Sequence, residues 1–298
     1  TFEDEVNMKG LRKSILLWIA AFFMALVVMV FQRMTGPTHP VRGSDMFKGE
    51  KISYRFLRSS TANQPLRVAI RVNSNKFDAL LYSRRYDRVN EYKFQVAEMV
   101  HDKSVYSANI KGEDTAGKVE YLVKLIDRET KEEFALNGGK SVISRFKGAV
   151  PPIFLISHIL FMVLGFIFAM RTLLETVRKE GNYYWLVNWT LGIVFIGGMI
   201  LGPIVQKYAF GDLWTGIPFG TDLTDNKTLI AFIFWIIAFF MKKRSKTWVI
   251  VAVIVMIVIY SIPHSALGSE RNYKTGQMNN KYVSIVKPVF DKSSAEIG

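Results

Sequence analysis

Five apolar runs decide what this chain can fold into: residues 14–31, 151–170, 185–205, 228–241 and 247–262. About 20 apolar residues in a helix cross the hydrocarbon core of a bilayer, so the first three runs are long enough. The last two are short, and need extension by their flanks or burial among other helices. Half of the 298 residues are hydrophobic. Because the excess is gathered in blocks, it predicts membrane helices rather than one large soluble core. The first run follows Lys9, Arg12 and Lys13 but is too long for a signal-peptide core, and no small-x-small cleavage site follows it. It reads as an uncleaved anchor.

The short connections set an orientation. Lys9, Arg12 and Lys13, then Arg171, Arg178 and Lys179, then Lys242, Lys243, Arg244 and Lys246 all fall on one side. The connection at 206–227 holds Lys207 and Lys227 against Asp212, Asp222 and Asp225. The excess of basic residues therefore predicts a cytoplasmic N-terminus in a bacterial-type inner membrane, with residues 33–149, the 206–227 loop and the tail 264–298 outside. The expected division is a first helix within 1–32, an outer domain at 33–149, a four-helix membrane region at 150–263 and an outer tail. No cysteine is present, which removes disulfides, thiolate metal sites and covalent c-type haem attachment to this chain.

Between the first two spans the pattern changes from continuous to alternating. "LRVAIRV" (66–72), "EYKFQVAEMV" (91–100), "SVYSANI" (104–110) and "KVEYLVKLID" (118–127) read as strands separated by turn-rich segments. Short strands at this spacing predict an all-β sandwich. The domain carries 22 Lys or Arg against 14 Asp or Glu, with Arg84, Arg85 and Arg88 clustered. Such a face either steers an acidic protein partner or anionic headgroups, or is an ordinary solvated surface. No nucleic-acid motif is present, and an outer domain makes nucleic acid an unexpected partner.

Three of the four histidines, His39, His158 and His264, fall toward the outer face. His39 sits in the linker "GPTHPVRG", where an exposed histidine needs no special role. His158 lies within the second run, roughly 10 Å along its helix, where an ionisable group is costly unless neutral, paired or ligating. Phe154, Phe161, Met162 and Gly165 share its helix face. Aromatic rings and a glycine beside a histidine suit a flat porphyrin with an axial imidazole; the same residues also suit ordinary helix packing with one interhelical hydrogen bond. Gly198 and Gly202 have small-xxx-small spacing, which reads as close helix approach.

The loop "GDLWTGIPFGTDLTDNKT" (211–228) combines Gly211, Gly216 and Gly220 with Trp214 and Phe219, rings that settle at membrane interfaces. Asp222 or Thr224 is placed to cap the next helix, with Asp225 near its positive end. The wider stretch "LGPIVQKYAFGDLWTGIPFGTDLTDNKTLIAF" resembles the tryptophan-rich outer loop of the haem-handling membrane proteins of cytochrome c maturation. The order is similar: His158 before the loop, Gly211, Trp214, Asp222 and Thr228 within it, and "YSIPHSALG" with His264 after it. That resemblance implies b-type haem at the outer face, with His158 and His264 as axial ligands of the iron, Trp214 and Phe219 against the porphyrin, and Asp222 holding the loop. The pattern departs from the family in having one tryptophan where several recur, and in carrying a β domain after the first span. Separately, "VYSANIKGEDTAGKVEYLVKLID" is similar to the last strands of immunoglobulin-like or fibronectin-like accessory domains.

Two functional classes follow. One is a cytochrome-like protein holding haem for haem handling or electron transport, with Phe161 and Gly165 completing the pocket around His158. The other is a non-catalytic accessory subunit whose sandwich docks a partner. A metal-dependent hydrolase using Asp212, Asp222 or Asp225 would need those carboxylates to converge with a histidine, and capping explains them more simply. There is no Walker loop, G-x-S-x-G or H-E-x-x-H.

Overall fold

The computed structural model describes residues 2–86, 91–179, 181–263, 270–271, 273 and 278–279. Helix α1 (Phe2–Thr35) extends the first apolar run at both ends. α2 (Pro152–Thr176) opens with proline in its first turn, where no backbone N–H is needed, and continues past the predicted end at Met170 to take in Arg171 and Glu175. α3 (Tyr184–Val194), a π-helical segment (Phe195–Leu201) and α4 (Gly202–Phe210) run on as one helix. The change of winding has a local cause. Pro203 has no N–H to offer the carbonyl four residues back, and the Gly202 N–H bonds instead to Gly197 O, five residues back. α5 (Leu223–Met241) is capped by Asp222, whose carboxylate accepts from Thr224 N. α6 (Lys246–Ser261) follows a tight basic connection.

Four helical stretches are long and apolar enough to cross a membrane: Gly10–Thr35, Pro152–Thr176, Tyr184–Phe210 and Leu223–Met241. The five spans expected from the sequence thus become four, plus the shorter apolar α6 of 16 residues. Lys242 to Lys246 and Pro263 bound that run, so its flanks cannot lengthen it. α6 is instead sheltered: Val249, Ala252, Val253 and Met256 are buried with Phe166, Met170 and Trp235. Trp235 donates its indole N–H to Met256 Sδ at 3.1 Å, and Tyr260 stacks on Phe166 and donates to Met162 O.

Between α1 and α2 the described residues form eleven strands: β1 (Val41–Phe47), β2 (Glu50–Phe56), β3 (Ser59–Thr61), β4 (Leu66–Arg71), β5 (Phe77–Arg85), β6 (Gln95–Glu98), β7 (Val100–Asp102), β8 (Val105–Ile110), β9 (Lys118–Asp127), β10 (Glu133–Ala135) and β11 (Val142–Lys147). One sheet has the order β1-β2-β4-β8-β7; the other is β3-β11-β9-β5-β6, with β10 added on β9. All neighbours are antiparallel except β3 and β11. The sheets close over one core containing Ile52, Val68, Ile70, Phe77, Leu81, Tyr121, Val123, Leu125 and Phe146. β9 buries every second side chain along its ten residues, the period of a half-buried strand. Lys48 and Gly49, both at positive φ, form the two-residue turn that joins β1 to β2.

The strands expected at 66–72, 104–110 and 118–127 appear with shifts of a residue or so. The one expected at 91–100 is divided: pairing starts at Gln95, and the chain passes from one sheet to the other at Met99. The domain meets the bundle at its base, where Gly148 N donates to Ala209 O at 3.0 Å and Arg145 lies 4.1 Å over the Phe210 ring. A Cβ on Gly148 would fall 2.1 Å from Tyr208 O, so only glycine permits this approach.

Candidate functional site

His158 faces the π-helical segment. Its Nδ1 lies 2.9 Å from Gly197 O, the carbonyl that also receives the Gly202 N–H. The carbonyl can only accept, so Nδ1 carries the proton, and in the neutral imidazole Nε2 then keeps its lone pair. The rest of that face is spent on the same neighbour. A Cβ on Gly197 would sit 2.9 Å from Phe161 Cβ, and one on Gly165 would sit 3.2 Å from Val194. Phe154 stacks on Tyr208 at 5.7 Å. The face expected to line a porphyrin, His158 with Phe161 and Gly165, is therefore brought together, but around the continuous helix Tyr184–Phe210. His264, the second expected ligand, lies outside the described residues, as does Arg88.

The 211–222 loop is built from the helices on either side of it. Asp225, buried in the first turn of α5, accepts from Thr215 N at 2.6 Å and from Thr215 Oγ1 at 2.9 Å; Gln206 of α4 donates to the same hydroxyl at 2.8 Å. Asn226 Oδ1 takes Ile217 N at 2.6 Å, and Gly216 must be glycine because a Cβ would lie 2.7 Å from both Asn226 Oδ1 and Asp225 Cβ. Trp214 donates its indole N–H to Ile217 O, three residues on. Of the two caps the sequence offers, Asp222 and Thr224, it is Asp222 that caps, accepting from Thr224 N at 2.7 Å. What this scaffold presents is apolar: Leu213, Ile217 and Phe219 are 51, 60 and 75% exposed. These bonds to the buried Asp225 tie the ridge to the first turn of α5.

The same end of the bundle is tied by one carbonyl. Ile262 O, at the end of α6, accepts from Lys227 Nζ of α5 at 2.9 Å and from Gln32 Nε2 of α1 at 3.2 Å, and Asp222 supplies negative charge near the buried ammonium. At the opposite end, Glu175 takes Arg171 at 2.5 Å and Arg178 at 2.8 Å, while the Arg171 guanidinium lies 5.6 Å from the Trp18 ring. Neither cluster was anticipated as a unit. Asp225 and Lys227 stand just before the run expected at 228–241, which is a sequence signal for a helix start but not for which backbone groups they hold.

In the β domain the two described members of the basic cluster are paired internally. Arg84 donates to Glu120 at 2.7 Å and Glu91 at 3.3 Å, and Arg85 to Glu113 at 3.0 Å while facing the Tyr273 ring. At the base, burial pushes the Lys147 ammonium down to about 8, and the positive charges of Arg145 and Arg33 push the same way. Asp127 is held below the usual carboxylate range chiefly by the Thr130 N–H, in a turn where Glu129 N and Thr130 Oγ1 also donate to it. Among the described residues no three His, Asp or Glu side chains gather as a metal site. No protein-family model matches the chain, and no curated protein matches it.

Proposed function

We propose that this chain is a non-catalytic accessory subunit of a membrane complex, its bundle holding the β domain at the outer surface, where the domain and the 213–219 ridge dock a protein partner. The observation that carries this reading is the ridge: Asp225, Asn226, Gln206 and Gly216 are committed to holding three apolar side chains outward. Rigid apolar anchors framed by satisfied polar groups are the pattern of binding surfaces. The internal pairing of Arg84 and Arg85 shifts the docking role from the basic cluster to this ridge. On this reading α6 crosses with the other four, shielded by α2 and α5, and the N-terminus is cytoplasmic in a bacterial-type plasma membrane. The β domain takes the part of an immunoglobulin-like spacer. The test is native electrophoresis of gently solubilised membranes. The wild-type chain is expected in an assembly larger than itself, and Leu213→Ser with Phe219→Ser is expected to release it. A wild-type chain that migrates alone sinks the reading.

A second reading, b-type haem at the outer face, is favoured by one observation. His158 spends Nδ1 on Gly197 O and retains Nε2, the arrangement in which a backbone carbonyl orients a metal-ligating histidine. His264 would be the second ligand, with Trp214, Phe219 and Asp222 near the edge of the site, as the resemblance to the cytochrome c maturation proteins implies. Phe161 and Gly165 already pack on the neighbouring helix, which leaves them less to offer a porphyrin. Oxidised and dithionite-reduced absorption spectra of the purified protein decide it. A Soret band that weakens in His158→Ala supports haem, and absorption from aromatic residues alone, after haem supply, removes it.

A further inference from the structure

One end of the bundle gathers tryptophan and cations together. Four of the chain's six tryptophans, Trp18, Trp185, Trp189 and Trp248, lie at the end where α2 and α5 stop and α3 and α6 begin. Trp18 of α1 is placed there by its neighbours: its ring lies 6.5 Å from that of Trp185 and 5.6 Å from the Arg171 guanidinium. Trp185, Trp189 and Trp248 are 43, 60 and 39% exposed. Amphipathic rings left facing outward on apolar helices settle at the headgroup level of a bilayer. The connection from α5 to α6, which starts one residue after α5 ends and leads to Trp248, therefore sits at that depth.

That connection reads "KKRSK" at 242–246, and no Asp or Glu stands anywhere in the sequence between Asp225 and Glu270. Its shape is fixed by hydrogen bonds. Arg244 N and Ser245 N both donate to Met241 O at 2.8 Å, Tyr183 Oη donates to Lys242 O at 3.0 Å, and Lys242 Nζ donates to Asn188 Oδ1. Lys242 is thereby spent on α3, whereas Lys243, Arg244 and Lys246 are exposed. Glu175, the one carboxylate among the described side chains at this end, is buried and taken by Arg171 and Arg178. A basic excess orients a helix in a membrane without needing any fixed shape. Pinning the connection to Tyr183 and Asn188 does something further. It holds three unspent cations close to α3 at the height of Trp185 and Trp189, so that a negatively charged headgroup meets charge while its acyl chain meets apolar and aromatic side chains.

We propose that the connection 242–246 binds phospholipids of net negative charge, selecting them over zwitterionic ones in the leaflet at that end of the bundle. The contact needs neither haem nor a partner at the 213–219 ridge. Tryptophan emission of the purified full chain reads it, because bromine on an acyl chain quenches the rings close to it. In phosphatidylcholine vesicles with about a tenth of the lipid replaced, dibrominated phosphatidylglycerol is expected to quench at least about twofold more than dibrominated phosphatidylcholine. Lys243→Gln with Arg244→Gln and Lys246→Gln is expected to abolish that difference, whereas Lys207→Gln, at the opposite end of the bundle, is expected to leave it unchanged. The wild-type chain in about 1 M sodium chloride, where the Debye length is about 3 Å, gives an independent readout should the triple variant fold poorly: there too the difference is expected to vanish. Equal quenching of the wild-type chain by the two lipids, a difference that survives the triple variant or the salt, or one that Lys207→Gln removes equally well, each overturns the proposal.

Discussion

The β domain and the helical bundle place most of their paired charges differently. The domain keeps its core apolar, with Asp127 and Arg145 buried, and pairs such as Arg128 with Asp78 and Lys124 with Glu133 lie on the surface. The bundle buries Arg171, Glu175, Lys227, Asp222 and Asp225. The difference follows from what specifies each fold. A sandwich has a register fixed by alternation, because slipping one residue turns the apolar face outward. Apolar helices among lipid lack that penalty, and directional polar contacts are what fix their mutual height and rotation. In this molecule the bundle is clasped at both ends, by Ile262 O with Lys227 and Gln32 at one and by Glu175 with two arginines at the other.

If that contrast holds, the largest single effect belongs to the buried pair. Arg171→Ala leaves Glu175 with one partner and is expected to cost the bundle about 3 to 5 kcal/mol, whereas Arg171→Met with Glu175→Leu is expected to cost far less. Denaturant titration in detergent, followed by far-ultraviolet circular dichroism, measures both. Equal losses in the single and double variants would break the comparison. The next effect lies at the junction. With Lys147 at about 8 folded and 10.5 unfolded, the unfolded chain binds more protons between those values, so stability rises with pH from 8 to 10.5. The penalty is fully present below pH 8, and its relief is worth about 3 kcal/mol on the scale of 1.36 kcal/mol per unit. Lys147→Met should flatten that slope.

A smaller effect is expected at the loop. Asp225→Ala removes the acceptor for Thr215 N and Oγ1 and should cost about 2 kcal/mol of local stability, measured as faster amide exchange at residues 215–217 with the helices unchanged. The smallest belongs to the domain surface, where Arg128→Ala, which breaks an exposed pair with Asp78, is expected to leave stability nearly unchanged. A thermal melt showing a large loss there would mean that the surface pairs of the β domain do more than the comparison allows.

The helices were legible because apolar runs are a strong signal, and the Asp222 cap was legible because it depends on neighbours in sequence. The winding change at Phe195–Leu201 was not, although Pro203 and the glycines were noticed: their consequence is a hydrogen-bond ladder displaced by one residue, set by which carbonyl accepts. β4, β8 and β9 could be read from alternation. β5, which pairs with both β6 and β9, carries a mixed pattern in "FDALLYSRR" and was missed, as were β1, β2 and β11. Gly165 and Phe161 showed a helix face but not what it faced. Periodicity gives direction, while the identity of the neighbour comes from tertiary contacts between residues far apart in the chain.

The bond from Gly148 to Ala209, with Arg145 laid over Phe210, makes the base of the β domain and the end of a membrane helix one mechanical piece. A load applied to the domain is borne at residues 209–210 as well as through the chain connections to α1 and α2. From there the stiff rod Tyr184–Phe210 passes through its one segment of altered winding, beside His158. Torque on the β domain would therefore be felt first as a change in helical pitch at that segment.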